Sequence, residues 1–118
     1  NHCPRRDFDL PGTDWYFIEG ETEIMHGITL IPTPGHVPGH QSVRVELPES
    51  GPMLIAGDAI FMKETINDDA PITAEDPIQY HCSAQKLERM AIEHGDTLLV
   101  SHEQSEWERW KHAPVWYL

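Results

Sequence analysis

Basic side chains are scarce in this chain, which has 8 Lys and Arg against 20 Asp and Glu and a formal net charge of −12. Nucleic-acid sites need clustered positive charge to neutralise phosphate groups. The few basic residues are instead scattered along the sequence. Binding to nucleic acid is therefore not expected.

Long apolar runs are lacking as well. No stretch approaches the roughly 20 apolar residues that cross a bilayer, and the segment from Asn1 to Arg6 has no hydrophobic signal core. We therefore expect no membrane association and a cytoplasmic location. The first residue is not Met, which indicates that Asn1 is not the native start.

Cysteine is limited to Cys3 and Cys82. Two cysteines do not make a disulfide framework, so free thiols in a reducing compartment are expected, with one bridge as the alternative. A length of 118 residues is enough for one domain at most.

Apolar periodicity and turn residues predict an α+β fold with helices covering a largely antiparallel sheet. Residues 1–14 are an irregular lead-in. The helix at 77–94 has the clearest ends, since Asp76 is a good N-cap, Pro77 suits the first helical position and Gly95 suits the stop. The other predicted elements are strands at 15–18, 22–25, 28–32, 41–47, 53–56 and 97–101, and a short helix at 104–111.

Three side chains with metal-binding chemistry stand where a predicted strand runs into a loop: His36, Asp58 and His102. Strands of one sheet that stop at a common edge bring distant residues to one rim, and functional sites concentrate there. Two imidazoles and a carboxylate suit zinc, iron or manganese. Taken singly, each could instead be a surface turn, a cap or a packed core residue; together they predict a metal site.

The loop at 33–40 carries two Pro-Gly-His sequences in succession. Gly35 and Gly39 permit unusual backbone angles while Pro34 and Pro38 restrict φ, so the loop is sharply turned and stiff. Such a loop holds an imidazole with little entropy left to lose on metal binding. We expect His36 to bind metal and His40 to support the site from behind, because a ligand usually needs a neighbour that orients it.

These motifs together resemble the metallo-β-lactamase superfamily. The resemblance is carried by Thr-Pro-Gly-His-Val-Pro-Gly-His-Gln-Ser at 33–42, Gly-Asp-Ala at 57–59 and Ser-His at 101–102. Several further features are similar to N-acyl-homoserine lactone lactonases: Glu-Gly at 19–20, Gly-Ile at 27–28, Lys-Glu at 63–64 and Trp-Lys-His-Ala-Pro at 110–114.

The resemblance implies an αββα sandwich with two divalent metal ions at one edge, usually zinc, with iron or manganese as alternatives. His36 would bind the first ion, Asp58 would bridge both and serve catalysis, and His102 would bind the second. A metal-bound hydroxide would then open the lactone ring of a small-molecule substrate.

Two departures from the family pattern limit what the resemblance implies. The hallmark His-x-His-x-Asp-His, which supplies the other ligands, is absent from this sequence. Residues 1–118 are therefore expected to be the C-terminal half of a single domain, with the missing N-terminal half as its partner, and the isolated piece is expected to hold metal weakly and be inactive. The second departure is Phe61, where the lactonases typically carry a Tyr that contacts the substrate.

Other functions stay open at this point. A glyoxalase II-like thioesterase, or a hydrolase of another ester, keeps the fold and changes the substrate. A metal-free remnant that serves as a binding or assembly partner would explain the missing hallmark motif. A homodimer is also open, since the sequence specifies neither oligomeric state nor metal identity.

Overall fold

The computed structural model describes Arg5, residues 9–67 and residues 72–118. Five strands form one sheet in the order β1-β2-β3-β4-β5, and the longer helix packs on one side of it. The strands are β1 (Thr22–Met25), β2 (Ile28–Pro32), β3 (Gln41–Leu47), β4 (Gly51–Ile55) and β5 (Thr97–Leu99). The helices are α1 (Pro77–His94) and α2 (Gln104–Trp107), with 3-10 turns at Gly57–Ala59 and Lys63–Ile66.

Strand direction decides which loops share an edge. Strands β1 to β4 pair antiparallel in sequence order, whereas β5 pairs parallel to β4 after the crossover through α1. Because β2 and β4 are both antiparallel to β3, strands β2, β4 and β5 all run in the same direction. Their carboxyl ends therefore lie at one edge of the sheet, as expected for the predicted rim.

Helix α1 has the ends that its sequence predicts. The Asp76 carboxylate accepts a hydrogen bond from Gln79 N at 3.0 Å, and this bond lowers the pKa of Asp76. Gly95 ends the helix with φ at +71°, which a glycine adopts without strain. The buried face of the helix begins at Tyr80, which is fully buried, whereas Ile78 is 77% exposed.

One face of the sheet forms the core with α1. Ile31 and Leu54 from the sheet and Ala84 and Leu87 from the helix are fully buried. Above this layer, Arg44 of β3 forms a two-pronged ion pair with Asp96, with distances of 2.8 and 3.0 Å. The pair links β3 to the start of β5 at the edge of the sheet opposite the rim.

The opposite face of the sheet is apolar and has no helical layer among the described residues. Alternation along the strands and the observed pairing place seven apolar side chains there: Ile28, Leu30, Val43, Val45, Met53, Ile55 and Leu99. Only Met53 is buried, and Ile55 is 42% exposed. The described structure is thus one sheet and one helix layer, half of an αββα sandwich.

Several predicted element bounds were wrong. Residues 15–18 form no strand, and Tyr16 and Phe17 are more than four-fifths exposed at 84% and 85%, since an apolar run becomes a strand only beside a partner strand. Strand β4 begins at Gly51, β5 ends at Leu99, and α2 ends at Trp107 instead of residue 111. Trp107 does not pack in the core: it is 54% exposed, and its ring centroid lies 4.5 Å from that of His112.

Some expectations fall on residues that are not described. Cys3 lies outside the described residues, whereas Cys82 is a free, exposed thiol. Residues 9–14 of the lead-in form neither strand nor helix, and the rest of that segment except Arg5 lies outside the described part. Within the described ranges, no helix is long and apolar enough to cross a bilayer.

Replacing Arg44 with Met is expected to lower the free energy of unfolding by about 2–4 kcal/mol. The Asp96 side chain has no solvent exposure and that of Arg44 only 19%, so the change leaves a buried carboxylate without its partner. Hydrogen bonding to Asp96 raises the pKa of Arg44. Urea unfolding measures the loss.

The matched control is Arg109→Met. Arg109 contacts Glu106 at 3.1 Å but its side chain is 77% exposed, so its loss should cost less than about 1 kcal/mol. The double variant R44M/D96N should recover much of the stability, because the unpaired charge is then gone. Equal losses in R44M and R109M would contradict this account.

Candidate metal centre

His36, Asp58 and His102 meet at the shared edge of β2, β4 and β5. Asp58 Oδ2 lies 3.4 Å from His36 Nε2, and Asp58 Oδ1 lies 3.2 Å from His102 Nε2. The carboxylate therefore lies between the two imidazoles and turns one oxygen toward each. The three residues that the sequence singled out are in one place, although they are far apart in the chain.

The loop that carries His36 is bound tightly to the start of α1. Gly35 has φ at +136°, and a Cβ on it would lie 2.2 Å from Tyr80 N. Gly35 O accepts from Asp76 N at 2.9 Å, and Pro34 O accepts from the Ser83 hydroxyl at 2.7 Å. The backbone beside His36 is thus held by the helix as well as by strand β2.

Asp58 lies in the 3-10 turn that follows β4. Gly57 enters this turn with φ at +57°, in the left-handed region that favours glycine. Ser101, which precedes His102, donates to Gly57 O at 3.0 Å and to Asp58 Oδ1 at 3.2 Å. The end of β5 therefore holds the Asp58 turn directly.

His40 has both ring nitrogens engaged by the protein. Its Nε2 accepts from the Asp58 backbone N–H at 3.1 Å, and its Nδ1 lies 2.8 Å from the Thr33 hydroxyl. Burial lowers the pKa of His40, and the nearby His36 acts in the same direction, against the raising effect of Asp58. Its location behind the Asp58 turn is the one expected of a supporting residue.

Phe61 forms the apolar wall between the two candidate imidazole ligands. Its ring centroid lies 5.4 Å from that of His36 and 5.1 Å from that of His102, edge to face in both cases. Its backbone N–H donates to the buried Tyr80 hydroxyl at 2.9 Å. The side chain offers no hydrogen bond to a bound molecule.

The spacing within each His–Asp pair is that of two ligands on one metal ion. Two ligands of one tetrahedral ion at bond lengths of about 2.1 Å are separated by about 3.4 Å, close to both His–Asp distances. His36 Nδ1 is buried and has no partner among the described residues, so its neighbours do not hold the ring by that nitrogen.

Among the described residues, however, each His–Asp pair offers a metal ion just two donors, one imidazole and one carboxylate oxygen. In the described ranges no three His, Cys, Asp or Glu side chains surround a single point closely enough to hold an ion. The described residues thus fit part of a metal site.

Two open cavities adjoin the centre. One of about 300 Å³ is lined by His36, Val37, Thr73, Ala74 and Glu75. The other, of about 310 Å³, is lined by Ser101, His102, Glu103, Gln104 and Trp107. A small molecule bound over Asp58 would have room on both the His36 and the His102 side.

A family model for the metallo-beta-lactamase superfamily matches residues 5–105, most of the chain and all three candidate ligands. The chain belongs to the metallo-beta-lactamase superfamily. Membership in this superfamily implies the use of divalent metal ions. The resemblance inferred from the motifs is therefore confirmed.

Within the superfamily, the chain is similar in sequence to N-acyl homoserine lactonases. The chain is 36% identical over 120 residues to N-acyl homoserine lactonase AttM of Rhizobium radiobacter, covering 96% of this chain and 46% of that protein. It is 34% identical over 94 residues to N-acyl homoserine lactonase AiiA of Bacillus thuringiensis subsp. kurstaki, covering 80% of this chain and 38% of that protein. The chain thus spans less than half the length of these relatives and matches their C-terminal portion.

Solved superfamily structures show the same fold. An N-acyl homoserine lactone hydrolase with N-hexanoyl-L-homoserine bound at its catalytic metal centre superposes with a TM-score of 0.85 at 30% identity, over 96% of this chain and 45% of that one. A quorum-quenching N-acyl homoserine lactone lactonase gives a TM-score of 0.84 at 29% identity, over 96% and 47%. The prediction that this chain is part of a metallo-β-lactamase-like domain is confirmed.

Sequence reasoning missed several residues that hold the centre. Thr33 contacts both His40 and Ser42, and both hydroxyl residues are buried. Ser101 holds the Asp58 turn. Alternation along β3 groups Ser42 with Arg44 and Glu46 on the polar side of the strand, so no sequence signal predicted a buried hydroxyl there. Glu103, the neighbour of His102 in sequence, accepts the backbone N–H of Lys63 at 2.9 Å.

Proposed function

We propose that this chain is part of a metal-dependent hydrolase that opens the lactone ring of N-acyl-homoserine lactones. The observation that carries the proposal is the Asp58 carboxylate with one oxygen turned to each of two imidazoles. Zinc is the proposed metal, because imidazole and carboxylate oxygen are donors that it accepts. The relatives named as N-acyl homoserine lactonases support the substrate class.

Asp58, His36 and His102 would hold two divalent ions in this proposal. Such ions, when bound, acidify water and polarise a carbonyl group, which is the chemistry that ring opening needs. The chain's own contribution is position: strands β2, β4 and β5 end at one edge, and the Ser101 hydroxyl holds Asp58 between the imidazoles. The Phe61 ring packs edge-on against both imidazoles and places an apolar surface beside them.

The remaining donors would come from residues other than the described ones, since each His–Asp pair supplies two donors. The apolar sheet face fits that proposal, because a second sheet packed on it would complete the sandwich. By itself this chain would then bind metal weakly.

The test uses the polypeptide encoded by the whole reading frame that contains this chain. It is expected to convert N-hexanoyl-L-homoserine lactone to the ring-opened acid, to lose that activity on treatment with a chelator and to regain it with Zn²⁺. Mass spectrometry follows the product, and S-lactoylglutathione is the competing substrate. Lactone turnover at the background rate, with metal bound, would overturn the proposal.

A thioester substrate is the second candidate, favoured by Phe61. This residue has no hydroxyl to give to a substrate oxygen, whereas the lactonases resembled here typically carry Tyr at that place. Faster turnover of S-lactoylglutathione than of the lactone in the same assay would select this alternative.

Replacing Phe61 with Tyr is expected to raise kcat/KM for the lactone about tenfold. The ring lies between the two candidate ligands, so an added hydroxyl would reach the reacting group, and one new hydrogen bond to developing charge is worth about 1.4 kcal/mol. Phe17→Tyr is the control, since Phe17 is 85% exposed and away from the site. Unchanged or lower lactone turnover in F61Y would contradict the assignment of Phe61 to the substrate side.

A further inference from the structure

We infer that Thr33 and Ser42 form a hydrogen-bond relay that fixes the tautomer of His40 and so positions Asp58 for metal binding. The relay rests on the proposed metal function and extends it to two residues outside the candidate ligand set. It runs from His40 through both hydroxyl groups to the carbonyl of Ala56. Every link is between 2.8 and 2.9 Å.

The direction of each bond follows from the two ends of the relay. Ala56 O can only accept, so the Ser42 hydroxyl donates to it. Ser42 Oγ must then accept from the Thr33 hydroxyl, which leaves Thr33 Oγ1 to accept from the Nδ1–H of His40. His40 is thereby protonated on Nδ1, and its bare Nε2 accepts the backbone N–H of Asp58.

The Asp58 end of the relay requires the same tautomer as the Ala56 end, because an amide N–H can only donate and needs an unprotonated Nε2. If His40 carried its proton on Nε2, that N–H would face the Asp58 N–H, and two donors would oppose each other. The Thr33 hydroxyl would then have to donate to Nδ1 and could no longer donate to Ser42. One tautomer satisfies every group, and the other breaks two bonds.

Burial makes this arrangement strict. Thr33 has no exposure and Ser42 has 1%, so water cannot replace a lost bond, and an unmade buried bond costs more than a made one contributes. Thr33 N also donates to His40 O at 3.0 Å, which closes the loop at 33–40 on itself. The imidazole is therefore held from two directions at the base of the His36 loop.

The effect on the centre passes through Gly57 and Asp58. A Cβ on Gly57 would lie 3.2 Å from His40 Nε2, so the ring packs directly under the turn. Because Nε2 accepts the Asp58 N–H, His40 is not a metal ligand. It instead fixes the position of the Asp58 backbone. Partners behind metal ligands of this kind change metal affinity by about 10–100-fold when they are removed.

The experiment compares the whole-reading-frame polypeptide with its Thr33→Val variant, which keeps the shape and removes the hydroxyl. Nitrogen-15 NMR of the metal-free protein reports the His40 tautomer, and competition with a chromogenic chelator reports Zn²⁺ affinity. The wild type should show a single Nδ1–H tautomer, and T33V should show a changed imidazole signature and about tenfold weaker Zn²⁺ binding. Thr33→Ser should restore both.

Ser83→Ala is the matched control. It removes another hydroxyl bond to the same loop, at Pro34 O, and is expected to lower stability while leaving the His40 signature unchanged. If T33V does not fold, Ser42→Ala applies the same test one link further away, with the same expected direction.

The outcomes separate the relay from the proposed function. A wild-type imidazole signature and unchanged Zn²⁺ affinity in T33V or S42A would overturn the relay, and so would a wild-type protein that binds no Zn²⁺. Absent lactone turnover alongside the expected NMR and Zn²⁺ results would overturn the proposed substrate and support the relay.

Discussion

Gly35→Ala is expected to separate the His36 loop from helix α1 and to cost more than about 4 kcal/mol of unfolding free energy. The added Cβ would lie 2.2 Å from Tyr80 N and 2.4 Å from Tyr80 Cα. These are backbone atoms of a buried helical turn, so neither can move aside cheaply. The φ of +136° adds strain that any L side chain would bear. Urea unfolding and Zn²⁺ titration measure the two losses.

Gly39→Ala is the control within the same loop. A Cβ there meets nothing within 4 Å, and its φ lies outside the left-handed region. The change should alter stability by less than about 1 kcal/mol. If G35A were as stable as G39A, the close contact between the loop and α1 would be wrong.

Asp58→Ala is expected to lower lactone kcat/KM by at least about a thousandfold, equivalent to ~4 kcal/mol of transition-state stabilisation. It removes a carboxylate that faces both imidazoles, so both proposed ion positions would lose a donor together. The backbone N–H bond to His40 stays, and the fold should persist. Metal content after gel filtration in metal-free buffer and the rate assay measure the effect.

Two companion variants sharpen the Asp58 result. Asp58→Asn keeps the size of the side chain but leaves a single oxygen, and it should still lose at least one ion. Glu64→Ala removes an exposed carboxylate from the next turn and should keep both ions. Near-normal turnover with two ions bound in D58A would remove Asp58 from the bridging position.

Local sequence signals predicted the parts of the fold that local chemistry determines. Asp76, Pro77 and Gly95 specified both ends of α1 because capping and backbone conformation act within one helical turn. Strand ends were less accurate, and the run at 15–18 failed, because a strand depends on a neighbour that the run itself does not encode.

The candidate site was predictable for a similar reason, and only in part. His36, Asp58 and His102 each follow a strand, and the common direction of β2, β4 and β5 brings them together. The residues behind them depend on pairing across strands: Ser42 reaches Ala56 only because β3 and β4 lie side by side. No spacing within one segment reveals such a contact.

The partly exposed apolar face of the sheet means that the melting temperature of this chain depends on what is bound to that face. A separate molecule that binds Ile28, Val43, Ile55 and their neighbours in the folded form and not in the unfolded one would add a free energy that grows with the logarithm of its concentration. A melting temperature recorded on the chain alone is therefore a lower bound, and it will rise with any companion that occupies that surface.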